Sequence, residues 1–161
     1  MIKTKPLVLN KTLARALHYK VKTKHILPAP IKPIKVNDVF YIKEKWHVYD
    51  KLSTTGEPIQ TLGYQTNITC HEDMVTPWKP ATHMPKRAAR YLIQVTAITS
   101  LPLHELSESM IKDCGYDNLY QLKTNWDLEH KDLPYDENPT VIIISFNLFE
   151  KDKTYQLNQT T

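Results

Sequence analysis

Three glycines in 161 residues, Gly56, Gly63 and Gly115, constrain this chain more than any other feature of its sequence. No two of them stand at the spacing of a P-loop or a dinucleotide-binding turn, so phosphate cradling by a glycine-rich loop is excluded. The length fits one domain, long enough to bury a sizeable core. Hydrophobic residues at 41% and charged residues at 24% match an ordinary globular chain and argue against disorder or a coiled coil. The longest aliphatic run is Val141 to Ile144, far short of the ~20 residues of a membrane helix. Lys3 and Lys5 precede only Leu7-Val8-Leu9, too little for a secretory signal. Cys70 and Cys114 cannot build a disulfide framework and suit a reducing compartment, so the expected location is the cytoplasm, with no membrane association.

Charge is segregated along the chain. Nine basic residues, from Lys3 to Lys35, precede the first acidic one, Asp38. The remainder carries 12 basic against 17 acidic residues, or −5. A segment at +9 joined to a body at −5 polarises the surface if the segment keeps to one face, as a phosphate-docking surface would. Leu7, Leu9, Leu13, Ala16 and Leu17 give that segment an ordered apolar pattern, which a solvated arm would lack.

Local signals divide the chain into strands and a few helices. Pro6 to Leu9 reads as a strand, and Asn10 or Thr12 caps a helix running to about Tyr19. Lys20 to Val36 is basic, and Pro28, Pro30 and Pro33 stop any helix there. Asp38 to Tyr49 splits around Lys43-Glu44-Lys45 into two strand-like pieces, and Ile59 to Thr69 offers another. Met74 to Pro85 reads as a long irregular segment. Tyr91 to Thr99 and Thr140 to Phe149 are strands, the latter apolar enough to be central in a sheet. His104 to Cys114 and Asn118 to Leu128 read as helices, with Gly115 ending the first and Trp126 buried by the second. No regular βαβ alternation appears, so the class is α+β, an antiparallel or mixed barrel with about three flanking helices.

Two segments carry a family resemblance: Val39-Phe40-Tyr41-Ile42-Lys43-Glu44-Lys45-Trp46, and the run from Trp78-Lys79-Pro80 through His83-Met84-Pro85-Lys86-Arg87-Ala88-Ala89-Arg90. They resemble the ASCH proteins in their bacteriophage and prophage form, which read "V-W-V-R-E-x-W" and then "W-x-P-S-x-H-M-P-R-W-A-S-R". Asn138-Pro139-Thr140-Val141 matches a third family segment. The resemblance spans residues 6–150, taken as a single ASCH domain, with 151–161 as a C-terminal tail. It implies a β-barrel related to the PUA domain, a fold that binds RNA and modified bases.

The resemblance also implies a site. Family members carry "G-R-K-T-x-T-R-R" after the first helix, where this chain has Lys20-Val21-Lys22-Thr23-Lys24-His25. In the family's amidohydrolases of acetylated cytidine, the motif lysine, the second threonine and a strand glutamate carry the chemistry. Here Lys22 is present, but His25 and Gln94 replace the threonine and the glutamate. A neutral amide cannot serve as a carboxylate base, so that amidase activity is not expected; Lys22 and His25 are the catalytic candidates if an enzyme survives.

The leading reading is therefore a phage-type ASCH module that binds RNA or a nucleotide base, modified or not, in a basic cleft. Arg15, Lys22, Thr23 and His25 would form one side, and His83, Lys86 and Arg90 the other. Trp46 and Trp78 are candidate stacking platforms, with core aromatics as the plainer assignment. Glu44 is the best remaining carboxylate, and Arg87 stands where the family has tryptophan. No cofactor is implied, and Cys70-His71 with His83 match no zinc spacing. Two further classes remain: a hydrolase of a modified nucleoside, or ribonuclease, of the same fold, and a phage interaction protein that inhibits a host or defence enzyme. In either phage reading the protein would work in the host cytoplasm.

Overall fold

The computed structural model describes residues 4–29, 33–52, 55–56, 58–64 and 78–150. Element order is β1 (Thr4–Val8), α1 (Lys11–His18), β2 (Lys24–Pro28), β3 (Val39–Lys43), β4 (Trp46–Leu52), β5 (Pro58–Tyr64), β6 (Tyr91–Pro102), α2 (Glu108–Asp113), α3 (Leu119–Glu129) and β7 (Thr140–Glu150). Five strands form one mixed sheet in the order β1-β3-β6-β7-β2, and β4 and β5 form a separate hairpin. Only the β1–β3 pair is parallel; the other ladders of that sheet are antiparallel. With three helices this is the α+β class expected from the order of the local signals.

The sheet is open, which corrects the expected closed barrel. β1 and β2 are its two edges, and no ladder joins them among the described residues. A register shift between Val95 and Ala97 explains how the sheet divides its work. A bulge bends and twists a long strand. β3 pairs with β6 only before it, at Leu92 to Gln94. Beyond it β6 continues along β7, which carries β2 on its other edge from Val141 to Ser145.

The sheet, α1, α2 and α3 enclose the main core. Leu13 and Leu17 of α1, Ile93 and Val95 of β6, Ile143 and Ile144 of β7, and Leu122 and Trp126 of α3 are all buried in it. Each helix starts on a side-chain cap, with Asn10, Ser107 and Asn118 accepting from the amides of Leu13, Met110 and Gln121. A second, smaller cluster holds Trp46, Tyr64, Met84, Ala88 and Ala89, under two 3-10 turns at Ala81–His83 and Lys86–Ala88.

Several local expectations shift. The helix expected over His104 to Cys114 begins only at Glu108, after the Ser107 cap, because Leu103–Glu105 form a 3-10 turn behind Pro102. The basic stretch from Lys20 contains a strand, β2. The expected strand at Ile59 to Thr69 is observed to Tyr64, while 65–77 and the tail 151–161 lie outside the described residues.

With glycine so scarce, Lys20, Asn37 and Asn138 adopt φ of 63°, 78° and 50°. Where glycine is used, it matters. Gly115 has φ +100°, and a Cβ there would lie 3.0 Å from the Ala16 Cβ and 3.4 Å from Leu13 Cδ2. It lets the end of α2 touch α1. Gly115→Ala should cost about 1–3 kcal/mol, from the left-handed backbone and the crowding together. Gly56, at φ +84°, has no atom of the described residues within 4 Å of the place a Cβ would take, and so supplies the control for backbone strain. Denaturant midpoints should fall clearly further for Gly115→Ala than for Gly56→Ala; equal losses would show that the close approach is unimportant.

Candidate functional site

The basic segment divides into cations that serve the fold and cations that face outward. Lys5 pairs with Asp38 at 3.2 Å. Lys24 reaches Ser145 Oγ at 3.3 Å and Asp113 at 3.9 Å. Lys22 is interior: its Nζ donates to the carbonyls of Lys24 and Cys114, both at 2.7 Å. Burial lowers its pKa from 10.5 to about 8, opposed by the nearby Cys114 thiol and Glu129. Close by on β2, His25 is also buried and sits opposite Ile144. Burial holds its pKa well below 6.5, and the Lys22 and His130 charges push the same way. His25 Nδ1 has no hydrogen-bond partner among the described residues. No carboxylate there orients the ring through that nitrogen as it would a general base.

The other side of the anticipated cleft also turns inward in part. Arg90 is 1% exposed and grips Glu44, itself 1% exposed, through Nε to Oε2 at 3.1 Å and Nη2 to Oε1 at 2.8 Å. Its guanidinium lies 4.2 Å from the Tyr64 ring centroid and 4.7 Å from that of Tyr91. Tyr64 belongs to the small cluster and Tyr91 to the main core, so Arg90 ties the two together. Glu44 is its structural counter-ion. Trp46 is buried in the small cluster with Lys79 Nζ 4.8 Å from its ring, which places it as a core aromatic. Trp78 is half-buried, whereas His83, Lys86 and Arg87 are exposed on the two 3-10 turns. Those turns cover the small cluster, while Lys22 and His25 sit against α2 and β7. Gln94 lies between Val39 and Asn147 in the sheet.

The outward-facing part of the basic segment is α1. Lys11, Arg15 and Tyr19 are exposed and stand at i, i+4 and i+8, one stripe on the helix. They line one groove of about 390 Å³ together with Thr12, Val21 and Gly115. The Arg15 guanidinium lies 5.9 Å from the Tyr19 ring centroid. The inner side of the same helix is anchored, with His18 Nδ1 bonded to the Tyr91 hydroxyl at 2.5 Å. Thr23 is exposed, but its backbone is tied at both ends, its amide donating to Asp113 O and its carbonyl accepting from Phe146 N. Of this stripe the sequence singles out Arg15 alone; Lys11 and Tyr19 are additions of the structure, although their spacing from Arg15 is legible.

No protein-family model matches the sequence, and no curated protein matches it. Among solved structures, protein EF3133 from Enterococcus faecalis V583, of the family DUF984, is similar with a TM-score of 0.54 at 12% identity, over 93% of this chain and 78% of that one. An ASCH domain from Lactobacillus crispatus JV V101 is similar with a TM-score of 0.48 at 10% identity, over 92% of this chain and 81% of that one. The chain shares its fold with the Enterococcus protein. No helix among the described residues is long and apolar enough to cross a membrane.

Proposed function

We propose that this chain is an ASCH-type, PUA-like module of phage type that binds RNA through the outer face of α1. The carrying observation is the exposed Lys11–Arg15–Tyr19 stripe lining a single groove. Its chemistry fits the ligand. Guanidinium and ammonium groups attract phosphates, arginine in a bidentate manner, and a tyrosine ring beside them gives a base a surface to stack on. The exposed cations Lys11 and Arg15, with Lys20 just past the helix, attract a polyanion towards this face. Lys22, His25 and Arg90 belong to the scaffold in this reading, holding β2 and the hairpin in place behind the binding face. His83, Lys86 and Arg87 offer a weaker, secondary set of phosphate contacts. A binding role is favoured over hydrolysis because the family's nucleophile and carboxylate are replaced, and among the described residues nothing orients His25 through Nδ1.

The test is fluorescence anisotropy with single-stranded RNA across a salt series. Lys11→Glu combined with Arg15→Glu should weaken binding at least about tenfold at low salt. The log–log salt slope should become shallower by about 0.7 for each phosphate that is no longer neutralised. Both positions are exposed, so circular dichroism should be unchanged. Arg87→Ala should change affinity less than about twofold. A wild type that fails to bind RNA at about 50 mM salt, where the electrostatic attraction is strong, would sink the reading.

A further inference from the structure

A second groove of about 400 Å³ adjoins the first and shares Thr12, Asp117 and Gln121 with it. Its character is different. It runs along α3, whose outward stripe Tyr120, Thr124 and Leu128 is exposed and bears no charge. Tyr120 is 79% exposed and Leu128 68%, an unusual amount of apolar surface for one short helix. Between that stripe and α1 lie the amides of Gln121 and Asn125. Asn125 is fixed in place, accepting from Asn10 Nδ2 at 2.5 Å and donating to the Tyr116 hydroxyl at 2.8 Å. Gln121 Oε1 accepts from the Asp117 amide at 2.7 Å, a bond that does not engage its side-chain NH₂.

We propose that the two grooves form one track for a single-stranded polynucleotide, with its phosphates along α1 and its bases over α3. This deepens the RNA-binding reading and rests on it. Charge decides the polarity of the track: the cations Lys11 and Arg15 line the α1 groove alone, no cation among the described residues lines the α3 groove, and Asp117 is shared by the two. A groove without cations, lined by a tyrosine and the amides of Asn118, Gln121 and Asn125, suits bases, which offer a π-face to the ring and donor and acceptor edges to the amides. Each groove is of a size that takes one nucleotide-sized group, and two in series need a ligand longer than a mononucleotide. A duplex keeps its bases stacked and its edges paired, so the α3 groove would gain nothing from it.

Anisotropy with labelled oligonucleotides of two and eight residues, as RNA and as DNA, and with an eight-pair RNA duplex tests this. The single-stranded octamer should bind more tightly than both the dinucleotide and the duplex. The RNA and DNA arms report whether the ribose hydroxyl contributes. Tyr120→Ala should weaken octamer binding roughly 5- to 150-fold, the range of one missing base stack, with the salt slope unchanged. Tyr120→Phe should restore it. If Tyr120→Ala binds the octamer as wild type does while the Lys11→Glu, Arg15→Glu variant is impaired, the α3 track is wrong and the α1 reading stands. A duplex that binds as tightly as the octamer overturns the track as well. A wild type that binds no oligonucleotide overturns both.

Discussion

Replacing Arg90 with methionine should destabilise the protein by about 3–5 kcal/mol, the usual cost of leaving one member of a buried ion pair without its partner. The substitution removes the two-pronged grip on Glu44 and, with it, the stacking on Tyr64 and on Tyr91. Glu44 would remain as a 1%-exposed carboxylate without the guanidinium that neutralises it. Glu44→Gln should cost less than Arg90→Met, because an amide can still accept a hydrogen bond from the guanidinium. The double variant Arg90→Met, Glu44→Leu should recover most of the loss, since apolar groups of similar volume can replace a buried pair at little cost. Urea midpoints for wild type, Arg90→Met, Glu44→Leu and the double variant close the cycle. Additive losses in the double variant would mean that the two side chains do not act as a unit.

The second large effect is on pH dependence, and it comes from the other buried basic side chains. Burial lowers the pKa of both Lys22 and His25, so the unfolded chain binds more protons than the folded one over a window below each unfolded value. Stability therefore rises with pH in both windows. For His25 the contribution is complete above 6.5 and is lost as pH falls below it. Lys22 acts between about 8 and 10.5, with a slope that climbs towards about 1.4 kcal/mol per pH unit, so roughly 1–2 kcal/mol is gained from pH 8 to 9.5. The Cys114 thiol works against this above pH 9, because burial raises its pKa to about 11 and stability then falls as the unfolded thiol ionises. A Cys114→Ala background isolates the lysine. There, Lys22→Met should flatten the rise between pH 8 and 9.5, whatever constant offset the two freed carbonyls add. An unchanged slope would show that Lys22 titrates normally in the fold.

How far the sequence announced these features depends on which physical signal each one left. α1 and α3 carried an apolar spacing and a capping Asn, and both were legible to within a residue or two. β7 was legible because a strand flanked by neighbours on both edges is a near-continuous apolar run. β2 was hidden: it is an edge strand of five residues ending in Pro28, and edge strands tolerate proline and need little apolar sequence. The open sheet was beyond reach, since closure depends on whether two distant edges meet. Arg90 and Lys22 looked like surface cations because a cation's sequence does not reveal its burial. One clue was present for Arg90. Phe40, Ile42, Glu44 and Trp46 alternate on one face of the chain, and the other three are buried, so Glu44 had to point inward and needed a cation there. Lys22 left no such clue, because its partners are backbone carbonyls.

The three residues held at positive φ, Lys20, Asn37 and Asn138, have a consequence on the other side of the folding equilibrium. Glycine would relax each of these turns, but it would also give the denatured chain more conformations to lose on folding. With three glycines and 11 prolines, this chain has a comparatively stiff denatured ensemble. Local strain in three turns is thus set against a smaller entropy of unfolding spread over the whole length. A sheet whose edge strands no ladder joins among the described residues gathers less cohesion from its ladders than a closed one, and a restricted denatured state is one source of stability that does not depend on closing it.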